Sequence, residues 1–475
     1  MSLRWEVILE RFAPAGMVDE KLMVGEPEEI VHLKGDVVLE GVNVRDADGN
    51  LVLEDLSARF PAGKVIGLAA PSEEDRRAMA GLMTRELLPS LGKITVSGHD
   101  MTGLHQAVIA ARIGHATSRP VLFQGSFGDN VLMPMRARPN GETRNADQFK
   151  NALKAGNSPD PHDAPWLDPS LAGFSDEKEL RDWWLKLVEG IGSDTALFRR
   201  GMEQRFDPAY HPILSSRLVQ LRAQVQQAVR DAGLRQHAFF LKPDQYNPAL
   251  PVAENLLYAT PRAPITEAVL TQQTRFLDLI KELNLDKDLV ALTQDVVDML
   301  RQIFGLDGTD HPLFRKLGLE PSAYEAALAL VEKTRANGAT ALDHSELAQL
   351  LIVPFRISAE QIGQAFSEEM QDRILEFRQS HSSRLMDTLG DLYVPLGIDQ
   401  FAPGLTVLEN ALFGKISDLA GAKGDELRKL VSETLVANGM RDLVVELIFE
   451  LPIALGGQGL AASFAEPLAF SRATI

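Results

Sequence analysis

The sequence predicts α/β structure at its two ends and a mainly α-helical middle. Three observations carry this expectation. Apolar and polar residues alternate through residues 37–53. A short apolar run and then an amphipathic stripe occupy residues 65–88. From residue 214 to residue 390 the apolar positions recur mostly at helical spacing.

Residues 4–34 form a lead-in. Trp5, Val7, Ile8, Leu9 and Phe12 make a short helical patch, which Pro14, Gly16, Gly25 and Pro27 then break. This reads as a linker arriving from another domain. Val37 and Leu39, then Val42 and Val44, predict a strand with a break at Gly41. Asp48-Gly49 signals a hairpin, and Leu51 to Leu53 returns. Lys93 to Val96 predicts another strand.

Between them lies the stretch that organises the chain. Val65 to Ala69 predicts a buried strand, Pro71 a tight turn, and the following helix a stripe of Met79, Leu82, Met83 and Leu87. Strand, turn and helix are the frame of a P-loop, whose turn needs G-x-x-x-x-G-K-[ST]. Ala70, Asp75, Arg76 and Arg77 occupy those motif positions, so both glycines and the Ser/Thr are lost and Arg replaces Lys. Ser72-Glu73-Glu74-Asp75 instead fits a capping box. The acids sit in the first turn, where the helix dipole favours them. An incoming triphosphate would meet like charge, at roughly 1–4 kcal/mol per close pair. Arg76 and Arg77 offset part of that. No tight ATP site is expected in this loop.

Composition narrows the function classes. The 475 residues hold room for two or three domains, and 45% are hydrophobic. A net charge of −18 argues against a general nucleic-acid binder, which needs clustered Lys and Arg. The absence of cysteine excludes disulfides, thiolate metal sites and Cys nucleophiles. No apolar run reaches the roughly 18 residues of a membrane span. His311, His344 and His381 are scattered without metal-ligand spacing, so no metal site is expected.

Residues 35–135 resemble the ATP-binding cassette of ABC transporters, most of all the exporter type. The likeness rests on GDVVLEGVNVRDADGNLVLEDLSARFPAGKVIGL, then GKITVSGHD, then PVLFQGSFGDN, in that order. It implies a P-loop core, ATP with Mg²⁺, a membrane domain in the same or another chain, a dimer with a partner cassette, and a place on the cytoplasmic side of a membrane. The departures imply degeneracy. The family's adenine-stacking aromatic falls near Asp46, and its Q-loop glutamine falls at Ser118. With Ala70, Ser72, Asp75, Arg76 and Arg77, these positions would form at most a weak nucleotide site.

Residues 136–235 depart from the family pattern. NSPDPHDAP, residues 157–165, predicts a loop. Trp183, Trp184 and Leu187 are expected in a core, and Leu218, Leu221, Val225 and Val229 mark one helix face. An internal repeat follows. DQYNPALPVAENLLY at 244–258 matches DQFAPGLTVLENALF at 399–413, with Asp, Gln, Pro, Leu, Val, Glu, Asn and Leu in register. A weaker first copy ends at Asp129-Asn130-Val131-Leu132. Each copy is expected to be a loop ending in a helix. Between the strong copies, Leu270, Phe276, Leu277, Ile280 and Leu283 form one apolar face, and Val296, Leu300 and Ile303 another.

Near the end, Gly456-Gly457-Gln458 resembles the cassette signature L-S-G-G-Q. A better register places Leu460, Ala461, Ala462, Ser463 and Phe464 there, before LAFSRA, which resembles the family's helix. The family's Walker B acids and H-loop histidine would fall beyond Ile475, so no catalytic residue is assigned and a truncated cassette is expected. The expected divisions are a linker at 1–34, a cassette-like α/β core at 35–135, a helical insertion at 136–390, and a second repeat with the signature-like helix at 391–475. The function this implies is the nucleotide-binding-domain-like part of an ABC transporter with weak or no ATP hydrolysis. The alternatives are an active ATPase completed by a partner cassette, or an interaction scaffold using the helical insertion.

Overall fold

A computed structural model describes residues 18–453, apart from 24–26, 28, 46–48, 117–120, 138–145, 158–164, 264, 305–308, 310–320, 338–341 and 363–366. The helical patch of Trp5 to Phe12, Pro14, Gly16, Gly25, Asp46, Asp48, Ser118, residues 158–164 of the expected loop, His311, Gly456 to Gln458 and the signature-like residues 460–464 lie outside the described residues, as does the side chain of Ile303. The chain divides into two compact units, Met1–Val121 and Leu122–Ile475.

The first unit is a four-stranded antiparallel sheet in the order β2-β1-β3-β4, with β1 at Val37–Arg45, β2 at Leu51–Phe60, β3 at Leu91–Val96 and β4 at His99–Asp100. The period-2 pattern buries Leu39, Val42, Val44, Ile94 and Val96 on one face. Helices α1 (Glu73–Met83) and α2 (Gln106–Arg112) complete that core with Ala78, Met79, Leu82, Val108 and Ile109. The break expected at Gly41 is a bulge. Gly41 takes φ +57°, and the β1–β2 register shifts between Leu39 and Val42. Gly92 on β3 passes so close that a Cβ there would lie 2.2 Å from the Gly41 carbonyl oxygen.

The strand expected at Val65–Ala69 does not form. Those residues have no regular structure, and Val65, Ile66 and Leu68 are exposed. A strand needs a neighbour to satisfy its backbone, and no strand among the described residues pairs with this run. The stripe on α1 is also shorter than expected. Met79 and Leu82 are buried, Met83 is half-buried, and Leu87 lies past the helix and is exposed.

The second unit is mainly helical, and its repeat copies adopt one local structure. Helix α3 (Phe127–Val131) carries the weak copy, α5 (Val252–Leu257) the second and α7 (Val407–Leu412) the third. Two long helices flank them, α4 (Pro212–Asp231) and α6 (Glu368–Leu389). Tyr258 and Phe413 end the second and third copies in the left-handed conformation, at φ 50° and 46°.

Short strands cross between the strong copies. β5 (Ala238–Phe240), which leads into the second copy, pairs with β8 (Gly414–Ile416), which leaves the third. β6 (Ala259–Pro261) pairs with β7 (Tyr393–Pro395) in the reciprocal way. Helix α5 is buried in a cluster formed with residues 265–393, and α7 in a cluster formed with residues 198–238 and 416–447.

The helical faces read from the sequence are largely inside. Leu218, Val225, Val229, Phe276, Leu277, Ile280, Val296 and Leu300 are buried, and Leu221 and Leu283 are half-buried. The expected aromatic core is only partly formed. Trp184 packs edge-on against Phe449 at 4.5 Å, whereas Trp183 and Leu187 are exposed.

Candidate functional site

The candidate site at the start of α1 is built by local hydrogen bonds. The Asp75 N–H donates to Ser72 Oγ at 3.0 Å, and the Ser72 N–H donates to Asp75 Oδ2 at 3.2 Å. That is the reciprocal capping box, with Glu73, Glu74 and Asp75 in the first turn. Arg76 turns back and donates from Nη1 to the Ala70 carbonyl oxygen at 3.1 Å. Arg77 donates from Nη2 to Glu73 Oε1 at 2.6 Å. Ala70, Ser72, Asp75, Arg76 and Arg77 are thus brought together and bonded to one another or to adjacent residues. The turn has no glycine, Arg77 is paired with Glu73, and Arg76 is spent on the Ala70 carbonyl oxygen. This donor set does not fit a triphosphate, which needs free N–H groups and an uncommitted cation.

A second constellation, which sequence reasoning missed, holds the repeat together. In the second copy, Asn255 Nδ2 donates to the carbonyl oxygens of Asn247 and Leu250 at 2.9 and 3.0 Å, and Oδ1 accepts from the Asn247 N–H at 2.9 Å. In the third copy, Asn410 does the same with Ala402 and Leu405, at 2.9, 3.1 and 3.0 Å. In the weak copy, Asn130 bonds both backbone groups of Phe123, at 2.7 and 2.9 Å, and the Ser126 carbonyl oxygen. The repeated Asn is therefore a latch that closes the loop before the helix.

Two buried arginines lock the strong copies. Arg378 on α6 donates from Nε to the Asn255 carbonyl oxygen at 2.6 Å, from Nη2 to Asn255 Oδ1 at 3.1 Å, and from Nη1 to the carbonyl oxygens of Pro243 and Gln245. Arg222 on α4 donates from Nε to the Asn410 carbonyl oxygen at 2.9 Å, from Nη2 to Asn410 Oδ1, and from Nη1 to the carbonyl oxygens of Gly397 and Ile398. Each guanidinium also lies over the ring that ends its copy, Arg222 over Phe413 at 4.2 Å and Arg378 over Tyr258 at 5.3 Å. Burial lowers the pKa of Arg222 to about 10, which leaves it charged at neutral pH. A readable signal existed upstream: Gln220-Leu221-Arg222 aligns with Glu376-Phe377-Arg378.

Where the two copies meet, three charges are packed together. Lys415 Nζ lies 3.1 Å from Glu409 Oε1, and the Thr406 N–H donates to Glu409 Oε2 at 2.9 Å. Glu254, the repeat counterpart of Glu409, faces the same pair, and burial pushes its carboxyl up to about 7. Burial also acts on Glu409, but Lys415 and the Thr406 N–H outweigh it and hold that carboxyl below its ordinary value. A cleft of about 1270 Å³ opens beside this group. Cations and carboxylates line it together, with Arg428 paired to Asp425 and Lys429 to Glu433, so it has no preferred sign of ligand. Among the described residues no cluster of His, Asp or Glu could hold a metal ion, and no helix is long and apolar enough to cross a membrane.

No family model matches the chain. It is 30% identical over 132 residues to the ABC multidrug transporter atrC of Emericella nidulans, covering 27% of this chain and 10% of that one. Its curated relatives are ABC transporters. An uncharacterized ABC transporter ATP-binding protein y4gM of Sinorhizobium fredii is 28% identical over 118 residues, 25% of this chain and 20% of its own. The mitochondrial ATP-binding cassette sub-family B member 10 of Mus musculus is 28% identical over 107 residues, 22% of this chain and 14% of its own. The chain thus spans a fifth or less of the length of these ABC relatives. A bacterial Atm1-family ABC exporter solved with ATP bound overlaps 32% of this chain and 26% of its own, with a TM-score of 0.23 and 22% identity.

Proposed function

We propose that this chain is a nucleotide-binding-domain-like portion of an ABC exporter-type protein that binds ATP weakly or not at all and does not hydrolyse it. The observation that carries the reading is the self-capped turn from Ala70 to Arg77, with both arginines engaged inside it. The partial similarity to ABC transporters supports the family side of the reading. In it, residues 35–135 are the cassette-like core, Ser118 stands where the family has its Q-loop glutamine, and Leu460 to Phe464 stand at the signature. The working partners are a transporter membrane domain and a second cassette, on the cytoplasmic face, and nucleic acid is not among them. Calorimetry with MgATP tests the core claim. The expected result is no site tighter than about 1 mM. A micromolar, stoichiometric site, or steady phosphate release, overturns it in favour of an active ATPase completed by a partner.

A second reading is an interaction scaffold worked through the helical unit. The cross-locked repeat favours it, because such locking makes a defined surface rather than a flexible insertion. Capture of the transporter's membrane domain or partner cassette by a fragment spanning 122–453, and not by the N-terminal unit, distinguishes this reading from the first.

A further inference from the structure

The repeat contains an internal control. Leu241-Lys242-Pro243 in the second copy corresponds to Leu396-Gly397-Ile398 in the third, and a cleft of about 650 Å³ lies between them. That volume suits a small molecule. Phe240, Tyr258 and Phe413 supply aromatic walls, and Ile398, 59% exposed, an apolar rim. Arg230, Arg235 and Lys242 also line it, and no carboxylate does.

These three cations gather on one cleft. In a chain of net charge −18, none of them is in an ion pair among the described residues. Arg230 donates to Gln227 Oε1 at 2.8 Å, a neutral acceptor. Arg235 donates to the Ala238 carbonyl oxygen at 3.0 Å and lies over the Phe240 ring at 4.4 Å. Lys242 is exposed.

The fold does not need them. Counted onward from the two locking arginines, Arg230 falls opposite Met386. Counted back from Leu241 and Leu396, Arg235 falls opposite Gly390, and Lys242 falls opposite Gly397. The third copy builds the same latch, the same helix and the same strand crossing with none of the three charges. Unpaired cations gathered on an aromatic cleft, and dispensable to the architecture, point to a ligand.

We propose that this cleft binds a small dianion carrying an apolar ring, of the phosphate-monoester class. Lys242 and Arg230 take the anion, Arg235 adds field, and the ring lies against Tyr258 and the apolar wall. Cation and aromatic surface act together here, so neither half of the ligand suffices alone.

The test is calorimetric titration of the full chain with phenyl phosphate, inorganic phosphate and benzyl alcohol. Phenyl phosphate should saturate one site per chain below about 1 mM, with inorganic phosphate at least tenfold weaker and benzyl alcohol silent. The variant Arg230→Met with Lys242→Gly installs the residues of the third copy. It should keep the circular dichroism spectrum and melting temperature while weakening phenyl phosphate at least about tenfold. No saturation by about 5 mM, equal binding of inorganic phosphate, or unchanged binding by the double variant overturns the proposal. If the double variant does not fold, Lys242→Gln alone should weaken phenyl phosphate roughly threefold or more, and unchanged binding by it overturns the proposal. Both substitutions leave residues 70–77 untouched, so this test and the MgATP test fail independently.

Discussion

Arg222 and Asn410 lie 188 positions apart in the sequence, yet the guanidinium of one is bonded to both the carbonyl and the side-chain oxygen of the other. Arg378 and Asn255 repeat the arrangement from the opposite side. Each contact joins the long helix ahead of one copy to the latch asparagine of the other.

Removing either arginine strands several buried carbonyl oxygens. Arg222→Met and Arg378→Met should each destabilise the helical unit by about 3–5 kcal/mol. Urea unfolding followed by circular dichroism reads the loss. A cost under about 1 kcal/mol for both would mean that water replaces the guanidinium freely.

The latch asparagines should rank by burial. Asn255→Ala and Asn410→Ala remove a fully buried amide and should cost roughly 2–4 kcal/mol each. Asn130 is only half-buried, so Asn130→Ala should cost about 1 kcal/mol or less. Equal losses at the three positions, measured by the same unfolding, would contradict the ranking.

The Glu254 carboxyl gives the helical unit a pH dependence of known sign. Its folded pKa, about 7, lies above its ordinary value because of burial, with Glu409 adding and Lys415 opposing. The protonated form is therefore favoured by folding. Its contribution is fully present below the ordinary carboxylate range and fades as pH rises through 7. Relative to Glu254→Gln, the native chain should lose on the order of 1–3 kcal/mol between about pH 5 and pH 8. Parallel stability curves for the two proteins would remove Glu254 as the cause.

Gly92 tests the sheet of the first unit. It holds φ +84°, and a Cβ would meet the Gly41 carbonyl at 2.2 Å. Gly92→Ala should cost roughly 2 kcal/mol or more, because neither backbone can give way without breaking the bulge. Gly98, at φ +80° with open space around it, is the control. Gly98→Ala should cost only about 1 kcal/mol. Thermal melting of the two variants shows whether the close approach or the dihedral dominates.

The turn at Ser72 can be rebuilt. Replacing Ala70→Gly, Glu73→Gly, Glu74→Ser, Asp75→Gly, Arg76→Lys and Arg77→Ser removes three carboxylates and frees the N–H groups. MgATP binding should strengthen by about tenfold or more, since the anion-binding geometry is local. Phosphate release should stay at background, because metal charge and water positioning supply most of phosphoryl-transfer catalysis. Turnover near 1 per second, about the low end of enzyme rates, would place catalytic residues elsewhere in the chain.

The local signals in the sequence translated well into structure. The Ser72 capping box, the bulge at Gly41 and the common structure of the repeat copies all depend on residues a few positions apart. What failed depended on neighbours. Val65 to Ala69 carries the apolar run of a strand, but no described strand pairs with it. Trp183 and Leu187 have a helical spacing that suits a core, yet the face they occupy is open. Arg222 and Arg378 sit in helix patterns where arginine ordinarily means solvent, so their burial was invisible without the partner loop. The cleft between the copies was illegible for the same reason, since its two sides are more than 150 positions apart.

The exchange of partners between the copies has a thermodynamic consequence. A single copy cut free would carry a buried cation with nothing to hold and a closed loop with nothing to lock it. Two such fragments could answer each other's needs. The fates of the halves are therefore tied. Slow amide hydrogens in Val252–Leu257 and Val407–Leu412 should open in one event, at one rate. Loosening either end of the unit would be felt at the other without any signal having to travel between them.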